Sequence, residues 1–199
     1  MDFYQIIARN FQDNIETIAH SVDVLAGPIE RSTHMMTTAL LNDCKIIVCG
    51  NGPDGALAQL FSCTLLDRLE NERPALPAIS LTSDGASITA IATTCGINEI
   101  FSRQIRAIGQ SGDILLCISS SDGHNNLIRA VQAAHERNMG VVALSNIGNS
   151  ELGTLIKSED VELQVNASRR PGIIEIQTMV IHSLCELIDR LLFDSYARD

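Results

Sequence analysis

The chain is 199 residues long and 45% hydrophobic, has no Trp, and carries a formal net charge of -10. These values fit one globular domain with a sizeable core and leave too little chain for two. An acidic surface of this kind repels nucleic acid and anionic lipid, so direct nucleic-acid binding and a membrane role are disfavoured. No basic stretch followed by an apolar run opens the sequence, and no run of roughly 18 apolar residues occurs in it; a cytoplasmic protein is expected.

Apolar residues at helical spacing (Phe3, Ile7, Phe11, Ile15, Ile18, Val22, Leu25) predict a first helix that Gly27-Pro28 ends, with a second helix to about Leu41. Residues 1–42 are read as an N-terminal helical pair that serves an oligomer core, and 43–199 as the domain proper, the two making a single structural unit. The pattern then changes. KIIVCG, PAISL, DILLCIS, GVVALS and DVELQV are short apolar or β-branched runs, with helical segments expected at 54–70, 84–107 (broken near Gly96), 123–138, 151–157 and 171–193. The alternation predicts an α/β fold: a three-layer, doubly wound, five-stranded parallel sheet with a long C-terminal helix.

That last helix is apolar on more than one face (Ile173, Ile174, Ile176, Val180, Ile181, Leu184, Leu187, Ile188, Leu191). One sheet in a chain this short does not cover both it and the first helix, so a homo-oligomer, a two-fold dimer or tetramer, is expected. The six cysteines (Cys44, Cys49, Cys63, Cys95, Cys117, Cys185) form no CxxC and read as buried thiols. The five histidines (His20, His34, His124, His135, His182) show no zinc-binding spacing.

Two loops fall at strand ends where open α/β sheets bind ligands. Gly50-Asn51-Gly52-Pro53-Asp54-Gly55 matches G-x-G-x-x-G, but Pro53 removes an N–H that a pyrophosphate would need, and the acid after the second strand, Asp84, lies too far along for a ribose partner. Dinucleotide binding is therefore disfavoured. Ser119-Ser120-Ser121-Asp122-Gly123-His124 presents hydroxyls ahead of a helix N-terminus, suited to phosphate, while Ser121 or Asp122 serving only as the helix cap is the competing reading. No GxSxG elbow supports a hydrolase.

CGNG after a strand, RLENERPALPAISLTSD, NEIFSRQIRAIGQSGDILLCIS and EIQTMVIHSLCELIDRLLF together resemble the sugar isomerase (SIS) domain of the phosphoheptose isomerases and their initiator-associating relatives, over essentially the whole chain. The resemblance implies a helix-flanked, flavodoxin-like five-stranded parallel sheet, a homotetramer and phosphosugar sites at subunit boundaries. It implies a phosphosugar cradle at Gly50, Asn51, Gly52, Asp54, Ser119, Ser120, Ser121 and His124. It also implies that much of the chemistry is gone. The usual G-N-G-G-S ends here in Asp54, the liganding histidine and catalytic glutamate of the next helix are Leu60 and Thr64, and an asparagine-aspartate pair is Thr93-Thr94. The liganding glutamine of the last helix is Ile174, which leaves His182 as the one retained acid/base position. Zinc, possible in the family, has lost most of its ligand positions; no cofactor is expected.

Aldose-ketose isomerisation moves a proton between neighbouring carbons and needs both a positioned base and a group that stabilises the enediolate; one histidine does not supply both. Asp54 adds a carboxylate where a phosphate would sit, and the preferred expectation is that it caps its helix and fills the anion site itself. His182 reads more readily as a satisfied core histidine than as a ligand, and His124 with Asp122 and Asp54 is a candidate polar or metal cluster. Arg68 and Arg73 are either remnants of phosphosugar or subunit contacts or partners of Asp67, Glu70 or Glu72. Leu192 and Phe193, ahead of a polar tail, are an oligomer seam or a partner-docking patch. By analogy with the initiator-associating relative, the expected function is a non-catalytic scaffold or regulator with the replication initiator DnaA as partner. The alternatives are phosphoheptose isomerase turnover of sedoheptulose 7-phosphate, or phosphosugar sensing.

Overall fold

Strands that are covered on both faces need apolar residues at every position, and the three most continuous apolar runs are the three central strands. The computed structural model describes residues 1–148 and 150–193. Among them β1 (Ile46–Gly50), β2 (Ala78–Ser80), β3 (Ile114–Ile118), β4 (Gly140–Asn146) and β5 (Val161–Val165) form one parallel sheet in the order β2-β1-β3-β4-β5. β1 and β3 are buried throughout, whereas the edge strands alternate, with Ile79 and Gln164 turned outward.

The helices are α1 (Phe3–Leu41), α2 (Pro53–Leu66), α3 (Gly85–Cys95), α4 (Ser102–Ile108), α5 (Asn125–Glu136), α6 (Ser150–Gly153) and α7 (Arg170–Phe193), with a short 3-10 turn at Ile97–Glu99. Side chains alternate along each strand, so the sheet carries two cores. Val48, Leu116 and Leu144 pack with Phe61 of α2 and Leu184 of α7 on one face; Ile47, Leu115 and Val141 pack with Ile105 of α4 and Ala134 of α5 on the other. This is the expected three-layer architecture.

The helical pair expected at the N-terminus is a single 39-residue helix with Pro28 inside it. Pro28 leaves the carbonyl of Val24 without its helical donor, yet the helix continues past it, with Val24 itself 59% exposed on a side open to solvent. The reading of all cysteines as buried also needs correction: Cys49, Cys117 and Cys185 are buried, Cys44 is half-buried, and Cys63 and Cys95 are exposed. The buried thiols are held in their neutral form, Cys49 by a hydrogen bond with Cys117 and by burial, and Cys185 chiefly by burial, which pushes it up to about 12. α7 buries a single stripe, including Ile173, Ile176, Val180, Ile181, Leu184 and Ile188, and leaves Met179 and Leu191 half exposed.

Arg73 pairs with Asp189, not with the side chains of Asp67, Glu70 or Glu72 considered from sequence. Its buried guanidinium ties the end of α2 to α7, through Nε to Asp189 at 2.6 Å and through Nη1 and Nη2 to the carbonyls of Leu65, Asp67, Pro74 and Thr64. Burial raises the Asp189 carboxyl above its ordinary range, and the Arg73 charge draws it only part of the way back. A carboxyl raised in the folded state loses stability as pH climbs through its titration, so the pair's value lies in satisfying Arg73 and the helix-end carbonyls. Arg73→Met is expected to cost ~3 kcal/mol in urea unfolding; a loss below ~1 kcal/mol, the scale of an exposed pair, would show that α2 is anchored by other contacts.

Candidate functional site

The winding of the sheet reverses between β1 and β3: from β1 the chain goes to the β2 edge, and from β3 it goes on to β4 and β5. Loops after the carboxyl ends of two such strands diverge and leave a crevice between them. Here those loops are 50–55 and 119–124, the two segments singled out from sequence.

In the first loop α2 starts almost on top of its strand. A Cβ on Gly50 would lie 2.5 Å from the carbonyl oxygen of Asp54, and Gly52 sits at φ +57, so both positions need glycine. Pro53 then occupies the first helical position. Asp54 does not cap α2, contrary to expectation: the N-cap is Gly52, which makes no side-chain bond. The Asp54 side chain is wholly buried and crosses to the second loop, where Oδ2 accepts the backbone N–H of Ser120 at 2.9 Å. Its Oδ1 meets no donor among the described residues.

The second loop turns its polar groups on itself. Ser119 Oγ donates to the Ser121 carbonyl at 2.7 Å, Ser120 Oγ accepts from Arg170 Nε at 3.0 Å, and Ser121 Oγ lies 3.0 Å from His124 Nε2. Neither Ser121 nor Asp122 caps α5; the N-cap is His124, which makes no side-chain cap bond. Asn51 and Asn126 close the crevice with a reciprocal amide pair of 2.9 and 2.8 Å. Gln177 of α7, fully buried, donates Nε2 to the Ser119 carbonyl at 3.1 Å.

The positions assigned to lost chemistry have been absorbed by the scaffold. Leu60 and Ile174 pack against the α2/α7 core, and Thr64 is buried with its hydroxyl on the Leu60 carbonyl at 2.8 Å. Thr93 and Thr94 are exposed on α3 and bond back to Thr89 and Ala90. His182, expected as a core histidine, is exposed, on the same stripe of α7 as Met179 and Glu186. The cluster proposed around His124 does not assemble as a metal site: Asp122 is exposed, Asp54 is committed to Ser120, and no three His, Cys, Asp or Glu among the described residues are placed to hold an ion. Leu60, Thr64 and Ile174, at the positions the resemblance assigns to liganding and catalytic groups, offer no nitrogen, thiolate or carboxylate ligand, so the donor set does not fit zinc.

The dinucleotide alternative fails on Asp84. That carboxylate caps α3 by accepting the N–H groups of Ala86 and Ser87, and the Ser87 hydroxyl and amide hold it below the usual carboxylate range. Sequence reasoning missed Asn126, Arg170 and Gln177 as site residues. Gln177 carried a usable signal, since an uncharged polar side chain on the buried stripe of an apolar helix must find partners.

The crevice wall has a simple test. Asn51→Ala and Asn126→Ala are each expected to cost ~1 kcal/mol in chemical denaturation, and the double variant little more than either, because each single change already removes both bonds. Full additivity would show that the pair is not coupled.

Residues 10–146 match the SIS domain family model. A phosphoheptose isomerase from Coxiella burnetii (strain RSA 331 / Henzerling II) is 43% identical over 195 residues, 98% of this chain and 98% of that protein. One from Azoarcus sp. (strain BH72) is 45% identical over 192 residues, 96% of this chain and 98% of that protein. The structure of phosphoheptose isomerase GmhA from Neisseria gonorrhoeae superposes with a TM-score of 0.89 at 36% identity, over 94% of this chain and 99% of that one. A phosphoheptose isomerase structure from Francisella tularensis gives a TM-score of 0.92 at 37% identity, over 96% and 100%. With a family model matched over residues 10–146 and relatives of 43% and 45% identity over nearly the whole chain, the chain belongs to the SIS-domain family of the phosphoheptose isomerases.

Proposed function

We propose that this protein is a non-catalytic member of that family, a homotetrameric scaffold whose phosphosugar cradle is filled by its own carboxylate. The observation that carries the proposal is the Asp54 carboxylate, fully buried and bonded to the Ser120 amide at 2.9 Å, in the place where a phosphate would take that amide. A phosphate entering this crevice meets a like charge; two unit charges about 4 Å apart repel by on the order of 4 kcal/mol at an effective dielectric near 20. The apolar packing of Leu60 and Ile174 argues in the same direction, because a polyhydroxylated sugar would lose water against them without compensation. Loss of a general base removes roughly 10²–10⁴ in rate, and loss of enediolate stabilisation multiplies that.

Support for an oligomer comes from α1, whose Phe3, Ile7, Phe11, Ile15 and Val22 are 70%, 55%, 69%, 59% and 60% exposed along one stripe of the helix. An apolar stripe of that length is a surface for a second copy of the chain. Leu192 and Phe193 are half-buried against the α2/α7 core, and Phe193 borders a cavity of about 640 Å³ that Leu69, Glu70 and Glu72 also line. Arg73 and Arg190 of the same lining are paired with Asp189 and Glu186, while Glu70 and Glu72 have no ion pair among the described residues; an apolar edge beside them suits a basic protein partner, and a tetramer would present it several times. The replication initiator is the candidate by analogy with the initiator-associating relative. The polar tail expected after Phe193 lies outside the described residues. Among the described residues no helix is long and apolar enough to cross a membrane.

A second reading, isomerase turnover of sedoheptulose 7-phosphate, is favoured by the identities of 43% and 45% to proteins named phosphoheptose isomerase. A coupled assay with sedoheptulose 7-phosphate separates the two. The expected result is no turnover above buffer; turnover that His182→Ala abolishes would overturn the scaffold proposal in favour of the enzyme. For docking, Leu192→Ala/Phe193→Ala is expected to remain a tetramer by light scattering while losing co-purification of the replication initiator. Undiminished co-purification would remove the patch from the account.

A further inference from the structure

One peptide group joins the two loops to the last helix. Its N–H, on Ser120, donates to Asp54 Oδ2 at 2.9 Å; its carbonyl, on Ser119, accepts from Gln177 Nε2 at 3.1 Å. The same Nε2 lies 3.3 Å from the Leu144 carbonyl, so Gln177 is braced against the ends of both β3 and β4. Asp54, Ser119 and Gln177 are each 0% exposed, and Ser120 is 2% exposed. In a trans peptide the carbonyl and the N–H point in opposite directions, so a donor that fixes the first also aims the second.

Two helix N-termini meet near the place at which that N–H is aimed, since Asp54 lies in the first turn of α2 and Asn126, paired with Asn51, in the first turn of α5. α2 and α5 both begin there without a side-chain cap, whereas α1 and α3 are capped by Asp2 and Asp84. Uncapped helix N-termini offer orphan N–H groups and the positive end of the helix dipole. The Arg170 guanidinium adds a cation beside Ser120. Into this setting the chain puts a carboxylate with one oxygen on the Ser120 amide and the other without a donor among the described residues.

We infer that Asp54 and Gln177 together set the anion specificity of this loop: Gln177 aims the Ser120 amide, and Asp54 occupies it and keeps an external oxyanion out. This rests on reading the two loops as a phosphate cradle closed by Asp54, the same contact that carries the proposed function, and adds Gln177 as the group that aims the amide. Gln177 is a positioning residue, since it acts through the peptide and touches no ligand. With Asp54 gone, the aimed amide, Arg170 and the two helix N-termini are left as a receptor for a phosphate-sized oxyanion.

The test is titration of the full-length protein with inorganic phosphate, followed by calorimetry, on the wild type, Asp54→Ser, Gln177→Met and Asp54→Ser/Gln177→Met. Asp54→Ser is expected to bind phosphate at least tenfold more tightly than the wild type, the scale of one charge-assisted hydrogen bond regained. Adding Gln177→Met, which keeps the volume and removes the donor, is expected to reverse most of that gain. In the wild-type background Gln177→Met is expected to speed hydrogen exchange at the Ser120 amide about tenfold, a readout that stands even if Asp54→Ser fails to fold. Asp54→Ser that folds without gaining phosphate affinity overturns the inference, as does Ser120 exchange unchanged by Gln177→Met. Turnover by the wild type would overturn both this inference and the scaffold proposal; an Asp54→Ser protein indifferent to phosphate would overturn this inference alone, since the absence of turnover rests also on Leu60, Thr64 and Ile174.

Discussion

The 2.9 Å contact between the Asp54 carboxylate and the Ser120 amide is the interaction on which the rest of the site depends. It bridges 66 residues of sequence, joins the loop after β1 to the loop after β3, and does so where the winding of the sheet reverses. A parallel sheet opens a crevice there as a matter of topology. What occupies the crevice is then decided by side chains, and the occupant we propose for this chain is its own Asp54. A buried carboxylate needs a favourable potential, and the start of α2 and the Ser120 amide supply it.

Packing and chemistry change in step around that contact. Leu60, Thr64 and Ile174 occupy positions that the family resemblance assigns to polar, proton-carrying or liganding groups, and here each is part of the α2/α7 core or adjoins it. Polar chambers are costly to keep open when no ligand satisfies them, so replacing their lining with apolar side chains gives back burial energy. Asn51 and Asn126 show the complementary device, a reciprocal amide pair within the chain, and Gln177 spends its Nε2 on the Ser119 carbonyl. The architecture of a ligand site is thus retained while most of its donors are spent internally, with Asp54 Oδ1 and Gln177 Oε1 left without partners among the described residues.

The sheet was legible in the sequence because its central strands are covered on both faces and read as unbroken apolar runs; its parallel, doubly wound character followed from the strand-helix alternation and the family resemblance. Local punctuation misled at Gly27-Pro28, where the proline is accommodated inside one long helix with Val24, four residues back, on its solvent side. His182 was misjudged from its neighbour Ile181, although its spacing from Met179 and Glu186 already assigns it to the outward stripe of α7. The presence of Asp54 at a helix start was plain, but its partner was not. Nothing local connects Asp54 to Ser120 or Gln177 to Ser119, since both contacts exist only after the sheet has brought β1, β3 and α7 together.

Family membership and site chemistry are therefore separate conclusions here. The fold and 43–45% identity assign the chain to the phosphoheptose isomerases, while the central claim is that the cradle of this member is closed to the family's ligand by Asp54. Calorimetric titration of sedoheptulose 7-phosphate into the wild-type protein tests that claim most directly. The account predicts no saturable heat up to millimolar ligand; binding in the micromolar range would contradict it.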